Sequence, residues 1–134
     1  MKTFVIDTNV FVSAFLSYGG TPSKLVDALS EGRFQIVVNS QIIGEYLEVL
    51  SRPKFKFPKS QIDEFITIMN VQEEVELVYI SDELPDDSDR IFIETALATD
   101  DKIIVTGNLK HYPKHLMKKL VVNVISPAEA LSLI

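Results

Sequence analysis

Residues 4–7 of the chain are Phe4-Val5-Ile6-Asp7, a short apolar run that ends in a carboxylate. The run is too short for a helix and is rich in residues that suit a buried strand, so it predicts the first strand of a sheet. In open parallel sheets, ligands bind beyond the carboxyl ends of the strands. Asp7 is therefore the first candidate for a functional residue.

Four further strand candidates alternate with helical segments along the chain. These strand candidates are residues 34–38, 75–80, 102–105 and 121–125. Apolar spacing and capping signals predict helices at 10–16, from Thr21 to before Gly32, from Ser40 to before Pro53, at 60–70, over 91–98 and from Pro127. Such alternation predicts a single α/β domain over residues 1–134, in which a mostly parallel sheet of about five strands lies between helices.

The composition excludes several classes of site. The chain has no cysteine, so disulfides, thiolate metal sites and cysteine nucleophiles are ruled out, which suits a reducing cytoplasm. The sequence also shows no signal peptide and no run of about 18 apolar residues for a membrane span. We therefore expect a soluble, cytoplasmic protein in which any metal ligands are oxygen atoms.

The charges are unevenly distributed along the sequence. The net charge of −6 argues against nucleic acid as a partner, because phosphate binding normally draws on a basic surface. However, eleven of the nineteen acids lie between Glu73 and Asp101, whereas residues 52–59 and 102–119 contain no acid. An acidic cluster that faces a polyanion makes physical sense if cations lie between the two. A solubilising acidic face is the simpler alternative.

Several polar side chains are expected at the same edge of the sheet as Asp7. They follow strands or begin helices, and they are Asn9, Asn39, Ser40, Asp86, Asp87, Ser88, Asp89, Thr106 and Asn108. Glu45 lies about one and a half turns into its helix, from where a long side chain can reach back toward that edge. Asp7, Glu45 and Asp89 can therefore converge.

Three carboxylates in one place repel one another and lose solvent, so bound cations, protonation or intervening water must compensate. Mg²⁺ or Mn²⁺ suits such oxygen ligands and can activate water for attack on a phosphodiester. Each residue also has a simpler interpretation. Asp7 can cap the turn after its strand, Glu45 can be a solvated helix residue, and Asp86, Asp87 or Asp89 can cap the next helix.

Four segments, in this order and spacing, resemble the PIN-domain family across nearly the whole chain. They are Val5-Ile6-Asp7-Thr8-Asn9-Val10, Ser40-Gln41-Ile42-Ile43-Gly44-Glu45-Tyr46, Asp86-Asp87-Ser88-Asp89-Arg90-Ile91-Phe92-Ile93-Glu94-Thr95-Ala96 and Val105-Thr106-Gly107-Asn108. Each segment alone is unspecific. Together they look most like the prokaryotic PIN proteins that act as toxin components of toxin–antitoxin pairs.

The resemblance implies a three-layer α/β/α fold and an Mg²⁺- or Mn²⁺-dependent endoribonuclease that hydrolyses RNA phosphodiesters. Asp7, Glu45 and Asp89 match the acidic metal ligands of the family. Asp86 is the rival of Asp89, because it lies one helical turn earlier and could bind metal through water or cap the helix. The resemblance also implies RNA as substrate, a cognate antitoxin as partner and a possible homodimer.

Two further positions match the family's polar residues, and one departs from them. Thr106 matches a hydroxyl residue and Asn9 a polar residue that helps to order the first acid, so Thr106 and Asn108 are expected to orient water or phosphate. Many relatives carry a fourth acid where this chain has Asn108, and the missing charge should weaken a second cation site. A catalytically weak PIN-like module that binds RNA or protein is therefore the alternative. A receiver-type signalling domain would need a late lysine that Thr106-Gly107-Asn108 does not supply.

Two other groups of residues have weaker signals. Arg52–Lys59 interleaves four bases with Phe55 and Phe57, which suits phosphate contact and base stacking. It is also an ordinary exposed helix–helix loop, in which Phe55 and Phe57 are expected to pack against a neighbouring helix. His111 and His115 stand among lysines, and we interpret both as surface residues because nothing in the sequence places them near the acids.

Overall fold

The computed structural model describes all of residues 1–134, and a five-stranded, all-parallel sheet lies at its centre. The strands are β1 (Thr3–Ile6), β2 (Gln35–Val38), β3 (Glu73–Glu74), β4 (Ile103–Val105) and β5 (Asn123–Ile125). The helices are α1 (Thr8–Leu16), α2 (Thr21–Ser30), α3 (Ser40–Leu50), α4 (Lys59–Asn70), α5 (Arg90–Ala96), α6 (Lys114–Leu120) and α7 (Pro127–Ser132). Short 3₁₀ turns lie at Asp87–Asp89 and Leu109–His111. The predicted α/β class is confirmed.

The strand order β3-β2-β1-β4-β5 creates a switch point between β1 and β4. The chain runs from β1 toward β2 and β3 on one side, and it later adds β4 and β5 on the other. Ile6 pairs with Val105, and the amide of Asp7 donates to the Val105 carbonyl at 2.9 Å. Asp7 and Thr106 therefore leave the sheet side by side at the crevice where such folds bind ligands.

An aromatic cluster fixes the helices next to that crevice. Phe11 of α1 lies edge-on to Tyr46 of α3 and to Phe65 of α4, each with ring centroids 4.9 Å apart. Such edge-to-face pairs are worth about 0.5–1.5 kcal/mol beyond their buried area. The Tyr46 hydroxyl also donates to the carbonyl of Ile6, so this cluster holds the residue that precedes Asp7. No helix in the structure has both the length and the apolar character needed to cross a membrane.

The third strand differs from its prediction. Residues 75–80 were expected to form it, but the sheet contains only Glu73–Glu74, which pairs with Val37 and Val38. The Val75 amide still donates to the Val38 carbonyl at 3.0 Å. Farther along, the backbone bonds to α5, because the amide of Val78 donates to the Glu94 carbonyl and the amide of Ile80 donates to Glu94 Oε2, both at 3.0 Å. A buried glutamate therefore takes the place of a neighbouring strand.

Helix α6 was not predicted, and it shortens the last strand. The expected strand at 121–125 begins only at Asn123, because Lys114–Leu120 is helical and Val121 ends that helix with a left-handed φ of 59°. Leu116 and Met117 of α6 are buried and belong to the hydrophobic core. The final helix, predicted from Pro127, begins with a capping box: Ser126 Oγ accepts from the Glu129 amide and Glu129 Oε1 accepts from the Ser126 amide, both at 3.2 Å.

Candidate active site

Asp7 lies at the end of β1, where it is buried and strongly hydrogen-bonded. Its side chain is 5% exposed, and its Oδ2 accepts hydrogen bonds from the hydroxyls of Thr106 and Tyr112, each at 2.9 Å. Asn9 Nδ2 also approaches this oxygen, at 3.4 Å. Burial raises the pKa of the Asp7 carboxyl, and the bonds from Thr106 and Tyr112 oppose that rise.

The residues around Thr106 join the ends of β1 and β4. Asn9 Nδ2 donates to Thr106 Oγ1 at 3.2 Å, and Asn9 Oδ1 accepts from the Gly107 amide at 2.8 Å. A Cβ at Gly107 would stand only 3.3 Å from Asn9 Oδ1, so the close approach favours glycine there. Thr106 is fully buried, and its hydroxyl donates to Asp7.

Asp89 ends the 3₁₀ turn before α5, and its side chain lacks the partners that a buried carboxylate needs. It is 6% exposed, and its Oδ2 is buried without any hydrogen bond. The nearest basic side chain is His111, whose Nδ1 lies 3.9 Å from that oxygen. Burial, and next the charge of Asp7, raise the pKa of Asp89 to about 6. A buried, unpaired acid of this kind is a functional-site candidate.

Asp7 and Asp89 line one pocket of about 300 Å³ together with Asp86 and His111. His111 is exposed, as expected of a surface residue, but it lines the pocket beside the acids, which nothing in the sequence indicated. His115 is exposed on α6 and does not line the pocket. A larger cleft of about 630 Å³ lies elsewhere, at the start of α3 beside residues 74–79, and none of the candidate acids lines it.

Glu45 is close to this pocket but not in its wall. Its Oε2 accepts a hydrogen bond from the hydroxyl of Thr8, which does line the pocket. The charge of Glu45 adds to the rise in the pKa of Asp89, after burial and Asp7. The structure brings Asp7 and Asp89 together and holds Glu45 behind Thr8. Consistently, no group of three or more acidic or histidine side chains is placed to hold a metal ion.

Asp86 and Asn108 each make hydrogen bonds to residues two positions away in the sequence. Asp86 Oδ1 accepts from the Ser88 amide at 3.0 Å and the Ser88 hydroxyl at 2.8 Å, and these bonds lower the pKa of Asp86. Asp86 thus caps the 3₁₀ turn that precedes α5, not α5 itself, and it also lines the pocket. Asn108 is exposed, and its backbone amide donates to Thr106 Oγ1 at 3.1 Å.

Tyr112 is the residue of the site that sequence reasoning missed. It is 2% exposed and stands 105 positions from Asp7, to which its hydroxyl donates. Burial, and then the charges of Asp7 and Asp89, raise the pKa of Tyr112 above its ordinary range, so the hydroxyl keeps its proton. No periodic pattern surrounds it in the sequence, and only the fold reveals the contact.

Replacing Tyr112 with phenylalanine should raise the pKa of Asp7, because the variant loses a donor that favours the carboxylate. The ring still fills its site, so the free energy of unfolding at neutral pH should fall only by about 1.5–3 kcal/mol, the usual worth of a hydrogen bond to a charged group. Carboxyl NMR titration and urea unfolding measure the two effects. Tyr79→Phe, at an exposed tyrosine, is the matched control. An unchanged Asp7 pKa in Tyr112→Phe would contradict the assignment.

The donor set of the pocket fits a hydrated divalent cation. Mg²⁺ and Mn²⁺ are often held by one or two carboxylates and keep several waters, rather than sitting in a complete protein cage. Asp7 and Asp89 supply two carboxylates, and Asp89 Oδ2 is a buried oxygen for which the protein offers no other partner. The pocket can therefore hold such an ion and use its charge.

Comparison with known families agrees with this geometry. A family model described as a PIN domain matches residues 3–110, a span that includes β1 to β4 and every candidate acid. No curated protein and no solved structure matches the chain.

Proposed function

The chain belongs to the PIN-domain family, whose members are generally nucleases, and we propose that it is an Mg²⁺- or Mn²⁺-dependent endoribonuclease that hydrolyses RNA phosphodiesters. The observation that carries the proposal is the unpaired, buried Oδ2 of Asp89 in the same pocket as Asp7. Two buried carboxylates without a cation of their own are best explained by a bound metal.

Asp7 and Asp89 are the residues that would hold the metal. When bound, Mg²⁺ or Mn²⁺ lowers the pKa of a water molecule and stabilises the leaving oxygen of a phosphodiester. Thr106 and Tyr112 fix Oδ2 of Asp7 from behind, so the carboxylate keeps one orientation toward the pocket. His111 borders the pocket, where its Nδ1 lies 3.9 Å from Oδ2 of Asp89.

Glu45 is the third acid near the pocket, and its access to a bound metal depends on Thr8. Its carboxylate is engaged by the Thr8 hydroxyl, so it reaches the pocket either through that hydroxyl or after releasing it. Thr106 is a positioning residue for Asp7 in this scheme. Asn108 brings no charge to the sheet edge, which favours chemistry at a single cation.

The proposal is tested by melting the protein with and without Mn²⁺ and then incubating it with single-stranded RNA, with EDTA as the control. We expect Mn²⁺ to raise the melting temperature, because an ion that binds only the folded state stabilises it. We also expect RNA cleavage that EDTA suppresses. If Mn²⁺ shifts nothing and RNA stays intact, the ribonuclease proposal is wrong.

The second candidate is a catalytically weak PIN-like module that binds RNA or a protein. Two observations favour it, namely the neutral Asn108 and the absence of a three-acid cluster. RNA binding that is insensitive to Mn²⁺, without cleavage, would identify this module.

The resemblance to toxin–antitoxin proteins supports a biological setting for the enzyme. We propose that it acts in the cytoplasm as the toxin of such a pair, that a cognate antitoxin encoded beside it binds it, and that it forms a homodimer. Co-expression with the neighbouring gene product, followed by gel filtration, tests both associations. A monomer that binds no neighbouring product would contradict them.

A further inference from the structure

The segment Arg52–Lys59, called the basic loop below, joins α3 to α4. Arg52, Lys54, Lys56 and Lys59 give it four cationic side chains, and it contains no acid. All four are exposed. On a chain of net charge −6, such a concentration of positive charge is a local exception that suits a polyanionic partner.

Two phenylalanines of the basic loop form a stack that projects from the core. Phe57 packs edge-on against Phe15 of α1, with ring centroids 5.1 Å apart, and belongs to the apolar layer around the core. Phe55 stacks on Phe57 with centroids 5.3 Å apart and ring planes only 7° from parallel, but it does not pack against the core. The outer member of the stack is therefore not explained by core packing.

The backbone between the two rings is strained. Lys56 adopts a left-handed φ of 54°, a conformation that costs a non-glycine residue about 1–2 kcal/mol. This turn directs both rings to one side and sets them face to face. Strained residues of this kind concentrate where function requires a particular arrangement.

The basic loop starts close to the Asp7–Asp89 pocket. Glu45 and Val49 are four positions apart and so share one face of α3, and the backbone amide of Arg52, just beyond the helix, donates to the Val49 carbonyl at 3.2 Å. Val49 lines the pocket, and Arg52 directly follows this helix turn. The hydrogen bond from Arg52 to Glu48, and to a smaller degree the charge of Glu45, raise the pKa of Arg52. Val49 of the pocket wall and Arg52 of the basic loop are therefore three residues apart along the chain.

We propose that Phe55 is a stacking platform for an unpaired base of single-stranded RNA, while the lysines of the basic loop contact the adjoining phosphates. The Lys54 ammonium now lies 5.1 Å from the centre of the Phe55 ring, and a base that stacks there displaces it toward a phosphate. The proposal rests on the ribonuclease function and names the part of the surface that holds the substrate strand. A flat ring amid cations suits a nucleotide better than an apolar protein segment.

The absence of tryptophan from the chain gives a direct test. Phe55→Trp carries a single indole, and Tyr79→Trp provides the matched control at an exposed aromatic residue outside the loop. In EDTA, single-stranded RNA should quench the emission of Phe55→Trp, and the same RNA in a duplex should quench it far less. Quenching that is equal in Tyr79→Trp, equal with duplex, or absent would overturn the proposal. A change of emission with protein concentration alone would assign the loop to protein contact and also overturn it.

Phe55→Leu supplies the functional test, because leucine keeps apolar volume but lacks a stacking face. We expect its affinity for single-stranded RNA to fall about tenfold, from the usual strength of base stacking on an aromatic residue. KM should rise by a similar factor with kcat nearly unchanged, since the contact is equal in ground and transition states. The melting temperature should fall by only about a few degrees, because the variant loses the ring stack with Phe57 but no contact with the core. Wild-type affinity in Phe55→Leu would refute the platform.

These experiments distinguish failure of the ribonuclease proposal from failure of the stacking-platform proposal. If wild-type protein does not cleave RNA with Mn²⁺ but Phe55→Trp is still quenched by single strands, the platform stands and the ribonuclease assignment falls. If wild type cleaves and quenching is absent, only the platform falls.

Discussion

Replacing Asp7 with asparagine is expected to lower kcat for metal-dependent RNA cleavage by about a thousandfold or more. A bound metal supplies several kcal/mol of charge stabilisation in the transition state, and each 1.36 kcal/mol is tenfold in rate. An amide lacks the charge needed to hold the ion beside Asp89. Single-turnover cleavage with saturating Mn²⁺ measures the loss.

The fold of Asp7→Asn should survive, because the amide oxygen can still accept the hydrogen bonds of Thr106 and Tyr112. Its melting temperature in EDTA should equal or exceed that of wild type, since burial already disfavours the Asp7 carboxylate. Asp63→Asn, at an exposed aspartate of α4, is the matched control and should cleave normally. Normal turnover by pure Asp7→Asn would remove Asp7 from the mechanism.

Replacing Asp89 with asparagine should change activity and stability in opposite directions. Cleavage should fall by a factor comparable to that of Asp7→Asn, because the second carboxylate of the pocket is lost. In EDTA near neutral pH, the free energy of unfolding should rise by about 1–2 kcal/mol, after allowance for solvent screening. The gain arises because the variant no longer buries a charge that has no partner.

The pH dependence identifies the cause of that gain. The pKa of Asp89 is raised from 3.8 to about 6 in the folded protein, so the folded state binds the proton more tightly than the unfolded chain. The penalty is therefore absent below pH 3.8, grows as the pH rises toward 6, and is complete above that value. Urea unfolding of metal-free wild type and Asp89→Asn across this range should give curves that coincide in acid and separate toward neutral pH. A constant difference would contradict this explanation.

Much of the fold follows from local patterns. Short apolar runs identify β1, β2 and β4, because strands buried on both faces are continuously apolar. The mixed run 121–125 locates β5, an edge strand that is only partly buried. Strand β3 could not be found in this way, since Glu73–Glu74 carries no apolar signal and owes its pairing to neighbouring Val37 and Val38. The apolar residues after it were expected to form the strand, but they lead to Ile80, whose amide donates to the buried side chain of Glu94 in α5.

The sequence predicts those site residues that directly follow strands. It does not predict the contacts of the site, because these depend on how the side chains are oriented. The positions of Asp7 and Thr106 result from strand ends, but only the structure shows that the Thr106 hydroxyl is directed at Asp7. His111 lies near Asp89, more than twenty residues away along the chain. Tyr112 donates to Asp7, more than a hundred residues away. Sequence spacing carries no information about such contacts.

A crystal structure grown with Mn²⁺, with manganese located by its anomalous scattering, tests the central claim most directly. We predict a manganese peak in the pocket between Asp7 and Asp89, with Oδ2 of Asp89 among its ligands. A map without a peak there, or with manganese bound only by exposed acids such as Glu73 and Glu76, would contradict the assignment of this pocket as a metal-dependent catalytic centre.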